Sequence, residues 1–370
     1  MSKLFESSEI NGLKLKNRFV RSATLEGRAA ADGTCTPQLT KFMADLAKGG
    51  VGLIISSHCY VQAVGKVRDG QMGIHTDEMI PGLQQMTRTV HANGGKMVCQ
   101  LSHAGFLFNL TAGGATPIAP SNIAVAGLPE EHRKEMTKKD IREVIDAFAT
   151  AAGRARTAGF DGIQVHGAHG YLISEFISPL FNRRTDEYGG SIKNRARLPL
   201  ELLQAVRRTV GDDFPILMKL NCKEFIDTGL MPEEFLQVAK MLADEGLDAI
   251  EVSGGLLIKP KLLPNQLGIN REEKEAYFQH EAKALKQKIN IPVILVGGIR
   301  SFHIAERLVD EGVADYISMS RPFIREPDLI KRWMSGDLAK AACVSDNLCF
   351  QPLREGKGIY CVSEEREKKR

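Results

Sequence analysis

The stretch "PILMKLNCKEFIDTGLMPEEFLQVAKMLADEGLDAIEV" occupies residues 215–252 and decides the fold. Two short apolar runs, Ile216–Leu220 and Ala249–Val252, have the length and the β-branched content of buried strands. Between them the apolar residues recur at spacings of three and four, which predicts an amphipathic helix over Pro232–Glu245. Those residues are Phe235, Val238, Ala239 and Leu242. The stretch therefore predicts two parallel strands joined by a helix.

The same alternation runs along the chain. The predicted strands are Phe19–Ala23, Gly52–Ser56, Lys96–Leu101, Gly162–Val165, Ile216–Leu220, Ala249–Val252, Val293–Val296 and Tyr316–Met319. The predicted helices are Pro37–Ala47, Met79–Ala92, Lys139–Ala158, Leu198–Thr209, Pro232–Glu245, Glu273–Lys288, Phe302–Asp310 and Pro327–Ser335. Apolar strands alternating with helices imply a parallel sheet covered on both faces. Eight such units favour a closed (β/α)₈ TIM barrel over an open doubly wound sheet, and no G-x-G-x-x-G follows any strand.

Composition narrows the class of protein. A formal net charge of +4 over 370 residues, with no pooled basic block, gives no reason to expect nucleic acid as a partner. The N-terminus lacks an apolar signal-peptide core, and no run approaches the roughly 20 apolar residues of a membrane helix. Seven scattered cysteines do not resemble a disulfide framework. We expect a reduced, cytoplasmic setting with no membrane partner, and a homo-oligomer stays open.

Two segments fall outside the eight units. Leu101–Lys138 forms a loop insertion after strand three, and its Gly, Pro and Ala content predicts an ordered excursion over the barrel mouth. The barrel is expected to span residues 1–340. Residues 341–370 are expected to form a C-terminal extension that carries Cys343, Cys349 and Cys361 and ends in a charged tail that frays.

Polar residues cluster where the predicted strands end, which is where a (β/α)₈ barrel holds its active site. They are Ser22–Thr24, Ser56–His58, Gln100, Ser102, His103, His166, His169, Tyr171, Lys219–Asn221, Ser253–Gly255, Gly297, Gly298, Ser320 and Arg321. In "IQVHGAHGYLISEF", residues 163–176, a strand ends in two imidazoles and a phenol among small residues. A metal site is a weaker interpretation, because no Cys, Asp or Glu stands at ligand spacing beside His166 and His169. A turn that merely holds histidines is the plainest alternative.

Units seven and eight indicate a phosphate site. "VILVGGIRS" places Gly297 and Gly298 after strand seven, ahead of a helix, and "YISMSRPFI" places Ser320 and Arg321 after strand eight. Backbone amides freed by glycine, a helix N-terminus and a guanidinium together form a cradle for phosphate.

Lys219 ends an apolar strand, where its ammonium must reach water or meet an anion. A Schiff-base lysine also suits such a place, so a barrel lyase or aldolase is a competing interpretation. Gln100 ends strand three and can both donate and accept, as recognition of an imide-like edge requires.

Several stretches together resemble the old yellow enzyme family of FMN-dependent ene-reductases. They are "LKNRFVRSAT", "GLIISSH", "CQLSHAG", "HGAHGYLISEFISPLFNRRTDEYGGSIKNRARL", "VGGI" and "SRPFI". The similarity spans roughly residues 1–360 and is greatest to the NADH:flavin oxidoreductase and 2,4-dienoyl-CoA reductase branch, with the barrel domain only.

The resemblance implies FMN as cofactor and NAD(P)H as co-substrate. Lys219 would place a cation beside the flavin N1/O2 edge, Gln100 would contact the pyrimidine ring, and the phosphate would lie near Gly298. The implied cofactor-binding residues are Ser22, Ala23, Thr24, Leu25, Ser57, His58, Gln100, Lys219, Gly297, Gly298, Ser320 and Arg321. A fixed positive charge stabilises the negative charge that a flavin acquires on reduction.

The resemblance also implies the catalytic roles. His166 and His169 would donate hydrogen bonds to a substrate carbonyl, so that a hydride from the flavin can reach the β-carbon of an alkene. Tyr171 would then protonate the α-carbon as general acid. Lys219 on this interpretation is an electrostatic partner and forms no Schiff base. A flavin subunit of an electron-transfer assembly, without catalysis of its own, is the remaining alternative.

The chain departs from that family in two places. Relatives in this branch hold an iron–sulfur cluster on four cysteines after the barrel, whereas here Asp346 stands where the second thiolate would be. Cys343, Cys349 and Cys361 therefore indicate a degenerate site that holds no cluster. Leu25 stands where many relatives place a threonine or cysteine.

Overall fold

A computed structural model describes residues 2–107, 116–124 and 133–369. Eight parallel strands close into a barrel, as the sequence predicts. They are β1 (Phe19–Arg21), β2 (Leu53–Tyr60), β3 (Met97–Ser102), β4 (Ile163–Gly167), β5 (Ile216–Asn221), β6 (Ala249–Ser253), β7 (Val293–Val296) and β8 (Tyr316–Met319). Each strand pairs with the next along the chain, and β8 pairs with β1 to close the barrel. The (β/α)₈ prediction is confirmed.

One helix of the outer layer follows each strand. These helices are α1 (Pro37–Lys48), α2 (Ile80–Ala92), α3 (Lys138–Thr157), α4 (Arg197–Val210), α5 (Pro232–Asp244), α6 (Gln279–Lys286), α7 (Phe302–Asp310) and α8 (Leu329–Met334). Thr137 begins α3 with the reciprocal bonds of a capping box, accepting from the backbone N–H of Asp140 while Asp140 accepts from that of Thr137. Local sequence thus fixes the start of α3.

The prediction of a helix over Glu273–Lys288 is wrong in its first half. A short 3₁₀ turn occupies Glu272–Lys274, and the α-helix begins only at Gln279. Ala276 between them has φ 52°, which no right-handed helix accommodates. The carboxylate of Glu275 accepts from the backbone N–H groups of Arg300 and Ser301 at 2.7 and 2.9 Å. A tertiary contact at the start of α7 therefore overrides the helical pattern.

An antiparallel hairpin, Ser8–Ile10 with Leu13–Leu15, closes the N-terminal end of the barrel. Its turn residues, Asn11 and Gly12, both have positive φ (42° and 76°), as a two-residue hairpin turn of the favoured twist requires. Apolar residues of the hairpin join a buried cluster with residues inside the barrel. That cluster contains Ile10, Leu13, Leu15, Val20, Leu53, Ile55, Val98, Leu217, Ala249, Ile294 and Tyr316. The lower half of the barrel is thus a packed apolar core.

The described part of the insertion pairs two short strands, Ile118–Ala119 and Lys134–Glu135. Ala119 packs with Phe106, Phe181 and Leu256 in a small apolar cluster near the barrel mouth. The rest of the predicted excursion, residues 108–115 and 125–132, lies outside the described residues.

Short helices complete the structure. Leu172–Ile177, Ile192–Arg195 and Arg321–Arg325 lie in connections of the barrel, while Gln351–Arg354 and Val362–Lys368 lie in the extension. In the described residues the charged tail forms that last helix, and Glu367 pairs with Arg325 at 2.5 Å. Whether the tail frays stays a prediction. No helix in the described ranges is long and apolar enough to cross a membrane.

Candidate flavin site at the barrel mouth

A cavity of about 660 Å³ opens at the C-terminal ends of the strands. Most of the predicted site residues line it: Ser22, Ala23, Thr24, Leu25, His58, Gln100, His166, His169, Tyr171, Lys219, Gly298, Ser320 and Arg321. Ser57 and Gly297 lie beside the cavity without lining it. In β2 the pairing with β3 shifts between Ile55 and His58, so Ser57 falls in an irregular part of the strand. The volume suits a ligand of cofactor size.

A buried polar layer forms the floor of the cavity. Its centre is Glu251 on β6, whose side chain is fully buried and lies 3.1 Å from the Nζ of Lys219. Glu251 also accepts hydrogen bonds from Ser22, Ser318 and Gln164 at 2.7, 2.9 and 2.9 Å. Burial by itself raises the pKa of this carboxyl, but the ammonium of Lys219 and the three donors lower the pKa below its ordinary value. Glu251 is therefore ionised at neutral pH.

The register of the barrel brings these side chains together. Lys219 on β5 pairs with Glu251 on β6 and with His166 on β4, so all three point into the barrel at one level. Gln100 on β3 pairs with Gln164 on β4 in the same way. Residues opposite one another in neighbouring strands share a face, and alternate residues in one strand share it too.

The carboxylate of Glu251 fixes the orientation of two amides. Because a carboxylate only accepts, Gln164 must turn its NH₂ group toward Glu251 and its oxygen toward Gln100. Gln100 then donates from Nε2 to that oxygen at 2.6 Å. The oxygen Oε1 of Gln100 remains as an acceptor for a ligand N–H in the cavity, which suits an imide edge.

The two predicted imidazoles and the phenol meet on one side of the cavity. The ring centroids of His166 and Tyr171 lie 4.4 Å apart, and those of His166 and His169 lie 5.2 Å apart. His169 has φ 66°, a left-handed conformation that its backbone N–H maintains by donating to Asn221 at 3.0 Å. The Nε2 of His169 lies 2.8 Å from the hydroxyl of Ser253. Within the described residues, the buried Nδ1 of His166 has no hydrogen-bond partner, so a ligand can supply one.

Burial sets the protonation of this group. It lowers the pKa of His166 and of His169 well below the ordinary value, with the Lys219 charge adding to the effect in both. Burial also raises the pKa of Tyr171. All three side chains are therefore uncharged at neutral pH, and the phenol keeps its proton.

His58 is a third imidazole at the cavity, and its tautomer follows from its neighbours. Gln71 accepts from the backbone N–H of Val67 at 2.7 Å through its oxygen, which turns its NH₂ group toward His58 Nδ1 at 2.8 Å. Nδ1 must then be the acceptor, and Nε2 carries the proton. Burial lowers the pKa of His58 to about 4. His58 is thus a neutral imidazole, 5.3 Å from the ring of Tyr171 between centroids.

The side of the cavity opposite β4 carries Arg321. Arg300 also lines the cavity, but its guanidinium donates to the backbone carbonyls of Ile269 and Ala341. Arg321 donates from Nη1 to the carbonyl of Gln266 and to the side chain of Asn347 at 2.9 and 2.7 Å. The hydroxyls of Ser320 and Thr24 lie 2.6 Å apart beside Arg321. The carboxylate of Glu275 accepts from the backbone N–H groups of Arg300 and Ser301, just before α7, and from the Ser301 hydroxyl. The use of the α7 N-terminus for phosphate stays a prediction. An anion here would meet the Arg321 guanidinium, the Ser320 hydroxyl and the backbone of Gly298 (φ 73°).

The C-terminal extension forms one wall of the cavity. Ser345, Asp346, Asn347, Phe350, Leu353 and Arg354 line it. Backbone and side-chain bonds attach the extension to the barrel mouth, including Arg68 to the carbonyl of Leu353 at 2.8 Å. A small hollow beside Arg321 is lined by Cys343, Cys349 and Cys361 together with Asp346. Both carboxylate oxygens of Asp346 accept hydrogen bonds, from Leu348 and Ser363, and no group of side chains in the described ranges is arranged to hold a metal ion.

Sequence reasoning missed Glu251, Gln164, Gln71, Arg300 and Asn347. A signal existed for Glu251, because a carboxylate inside the apolar run "AIEV" demands a buried partner and Lys219 stands at the same level of the preceding strand. The others act through contacts between distant segments and leave no local pattern.

Comparisons with known proteins give the family of the chain. The family model for the NADH:flavin oxidoreductase / NADH oxidase family matches residues 3–338. The chain belongs to this family. A "NADH oxidase" of Thermoanaerobacter brockii is 37% identical over 364 residues, an alignment that covers 95% of this chain and 54% of that protein. A "NADPH dehydrogenase" of a Geobacillus species is 36% identical over 327 residues, covering 88% of this chain and 91% of that protein.

Solved structures place the chain among old yellow enzymes. A homologue from Zymomonas mobilis has a TM-score of 0.80 and 29% identity, covering 93% of this chain and 96% of that one. The chain spans about half the length of the NADH oxidase and nearly all of the shorter relatives. Family membership implies a flavin and a nicotinamide nucleotide. The residues present fit a flavin: an acceptor for an imide N–H, a cation on the floor, and a guanidinium group at the far end.

Proposed function

We propose that this protein is an FMN-dependent ene-reductase that transfers a hydride from NAD(P)H to the C=C bond of an α,β-unsaturated carbonyl or enoyl compound. The observation that carries the proposal is the convergence of Tyr171, His166 and His169 on the cavity that Lys219 and Gln100 floor. The chemistry that FMN supplies when bound is hydride transfer, first from NAD(P)H and then to an alkene carbon.

The residues divide into those that hold the ring and those that hold the phosphate. Lys219 and Gln100 offer a positive charge and an acceptor where the polar edge of an isoalloxazine requires them. Ser320 and Arg321 offer donors at the far end, which suits one terminal phosphate and supports FMN as the flavin. Ser22, Ala23, Thr24, Leu25 and His58 complete the lining of the ring site.

Three neutral side chains would act on the alkene. His166 and His169 donate to the carbonyl oxygen, and their lowered pKa values keep them neutral, so they polarise the carbonyl without protonating it. Negative charge that develops on this oxygen is stabilised by the same donors. Tyr171 keeps its proton through its raised pKa and delivers it to the α-carbon.

The Schiff-base alternative is less well supported. Glu251 lies 3.1 Å from the Lys219 ammonium, which also donates to Ser22 at 2.8 Å. A carbonyl substrate would have to displace these partners and leave the carboxylate of Glu251 buried without a counter-charge.

A direct experiment separates the three candidate functions. The purified protein should be yellow and release FMN on denaturation, and anaerobic mixing with NADH or NADPH should bleach the flavin. A panel of enones and enoyl thioesters should then restore the yellow colour. A colourless protein that borohydride traps with a keto substrate would be an aldolase instead. Flavin that neither nicotinamide reduces would indicate an electron-transfer subunit.

Tyr171→Phe tests the proposed general acid. Removal of the hydroxyl should lower alkene turnover by about 10²-fold or more, while reduction of the flavin by nicotinamide continues at the wild-type rate. Tyr188→Phe is the matched control, because Tyr188 is a buried tyrosine that bonds to Glu201 away from the cavity. Equal alkene turnover in Tyr171→Phe and wild type would remove Tyr171 from this role.

A further inference from the structure

We infer that Glu251 is a positioning residue that neutralises Lys219 and thereby holds the reduction potential of the bound flavin below the value a lone cation would give. The inference rests on the proposed flavin site and deepens it. Glu251 lines no part of the cavity and acts only through the side chains above it.

The pair is enclosed on all sides. The side chains of Lys219 and Glu251 are 3% and 0% exposed, with 3.1 Å between Nζ and the nearer carboxylate oxygen. Water screens a pair this deep less than it screens an exposed pair, so each charge acts on its neighbours more strongly than it would at the surface.

The net charge below the ring decides how readily the ring accepts electrons. A flavin gains negative charge on reduction, and a nearby cation stabilises that charge. With Glu251 ionised behind Lys219, the floor of the cavity is a dipole with its positive end toward the ligand and no net charge. The stabilisation is therefore smaller than a bare ammonium would provide.

The structure favours an ionised Glu251 over a neutral one. Ser22 and Ser318 both donate to one carboxylate oxygen, while Gln164 and Lys219 donate to the other. Four donors on a buried carboxyl stabilise its charged form.

Glu251→Gln is a conservative test, because glutamine can preserve the pattern of hydrogen bonds. Its oxygen can accept from Lys219 and Gln164, while its NH₂ group donates to the hydroxyls of Ser22 and Ser318, which can reverse direction. The substitution therefore removes the charge and leaves the amide of Gln100 in place.

The reduction potential of bound FMN is measured by dye equilibration in wild type, Glu251→Gln, Lys219→Met and the double variant. At a fixed potential, Glu251→Gln should raise the ratio of reduced to oxidised flavin at least tenfold, a positive shift of about 30 mV for a two-electron couple. Lys219→Met should shift the ratio in the opposite direction, and the double variant should return toward wild type. Measurements at pH 6 and 8 are compared, because burial lowers the pKa of Lys219 and low pH keeps the ammonium charged.

The control is Glu281→Gln. Glu281 pairs with Lys223 at 2.6 Å, and neither residue lines the cavity, so the flavin potential should equal that of wild type.

The outcomes separate this inference from the proposed function. A wild-type protein that binds no FMN would end the proposed function. A yellow wild type with the same potential as Glu251→Gln at both pH values would overturn the role of Glu251 alone. If Glu251→Gln fails to fold, a double variant whose potential equals that of Lys219→Met overturns it too.

Discussion

At the scale of single residues, the buried imidazoles make stability depend on pH. Burial lowers the pKa of His58 from 6.5 to about 4, so the unfolded chain binds a proton there that the folded chain refuses. The contribution of His58 to the free energy of unfolding is complete above pH 6.5 and is lost as the pH falls from 6.5 toward 4. His166 and His169 act in the same direction.

The prediction concerns His58→Asn. The free energy of unfolding of this variant should fall less steeply between pH 6.5 and 4 than that of wild type, by up to about 1.4 kcal/mol per pH unit. Urea unfolding at several pH values measures the slope, which is independent of any constant loss of packing. His280→Asn, at an exposed position, is the control. Parallel slopes for His58→Asn and wild type would show that His58 is protonated in the folded state as well.

A second residue prediction concerns the anchor of Arg321. Asn347 accepts from this guanidinium and has φ 59°, so Asn347→Gly removes the side chain without adding backbone strain. FMN affinity should fall about tenfold, or about 1.4 kcal/mol, because Arg321 loses the contact that orients it. Fluorescence titration of the apoprotein gives the dissociation constant. Asn11→Gly, at another left-handed asparagine far from the cavity, should bind FMN as wild type does.

How much of the site could be predicted is also a matter of single residues. The site residues that end strands can be recognised in the sequence, because Lys219 and His166 are polar side chains at the ends of apolar runs. The residues that hold those side chains in place cannot be recognised in this way. Gln71 and Asn347 look like ordinary loop residues, and only the closed fold brings them to His58 and Arg321.

At the scale of elements, the hairpin at the base tests the role of its turn. Gly12 has φ 76°, and an added Cβ would meet no atom within 4 Å, so only the backbone conformation opposes a substitution. Gly12→Ala should destabilise the protein by about 1 kcal/mol. A lower urea midpoint at an unchanged m-value is the expected observation. Lys14→Ala in the same hairpin changes an exposed residue and is the control. A Gly12→Ala midpoint equal to that of Lys14→Ala would mean that the turn tolerates a side chain.

The spacing of apolar residues predicted the strands and most helices correctly. It failed where a contact with a distant segment determines the local conformation. All eight strands agree with the prediction to within a few residues, because burial on both faces enforces apolar runs. The stretch from Glu273 has helical spacing, yet the contacts of Glu275 at the start of α7 hold it in another conformation. Those contacts cross between units and are invisible in a window of local sequence.

At the scale of the whole molecule, closure of the barrel explains why the site is so compact. Lys219 and Ser22 are 197 residues apart in the chain and 2.8 Å apart in space, because β5 and β1 face the same interior. The count of units predicts that closure. The docking of the extension does not follow from any count, since it depends on individual hydrogen bonds to distant residues such as Asn265, Arg68 and Arg321.

The hairpin that closes the N-terminal end of the barrel limits the route by which ligands can reach the cavity. Apolar side chains fill the N-terminal end of the described barrel. A ligand would therefore reach the cavity, and leave it, through the opening at the C-terminal ends of the strands. In the proposed function, a nicotinamide and an alkene would occupy the same place above the flavin ring. They would therefore bind in turn, and the flavin would store the electrons between the two binding events.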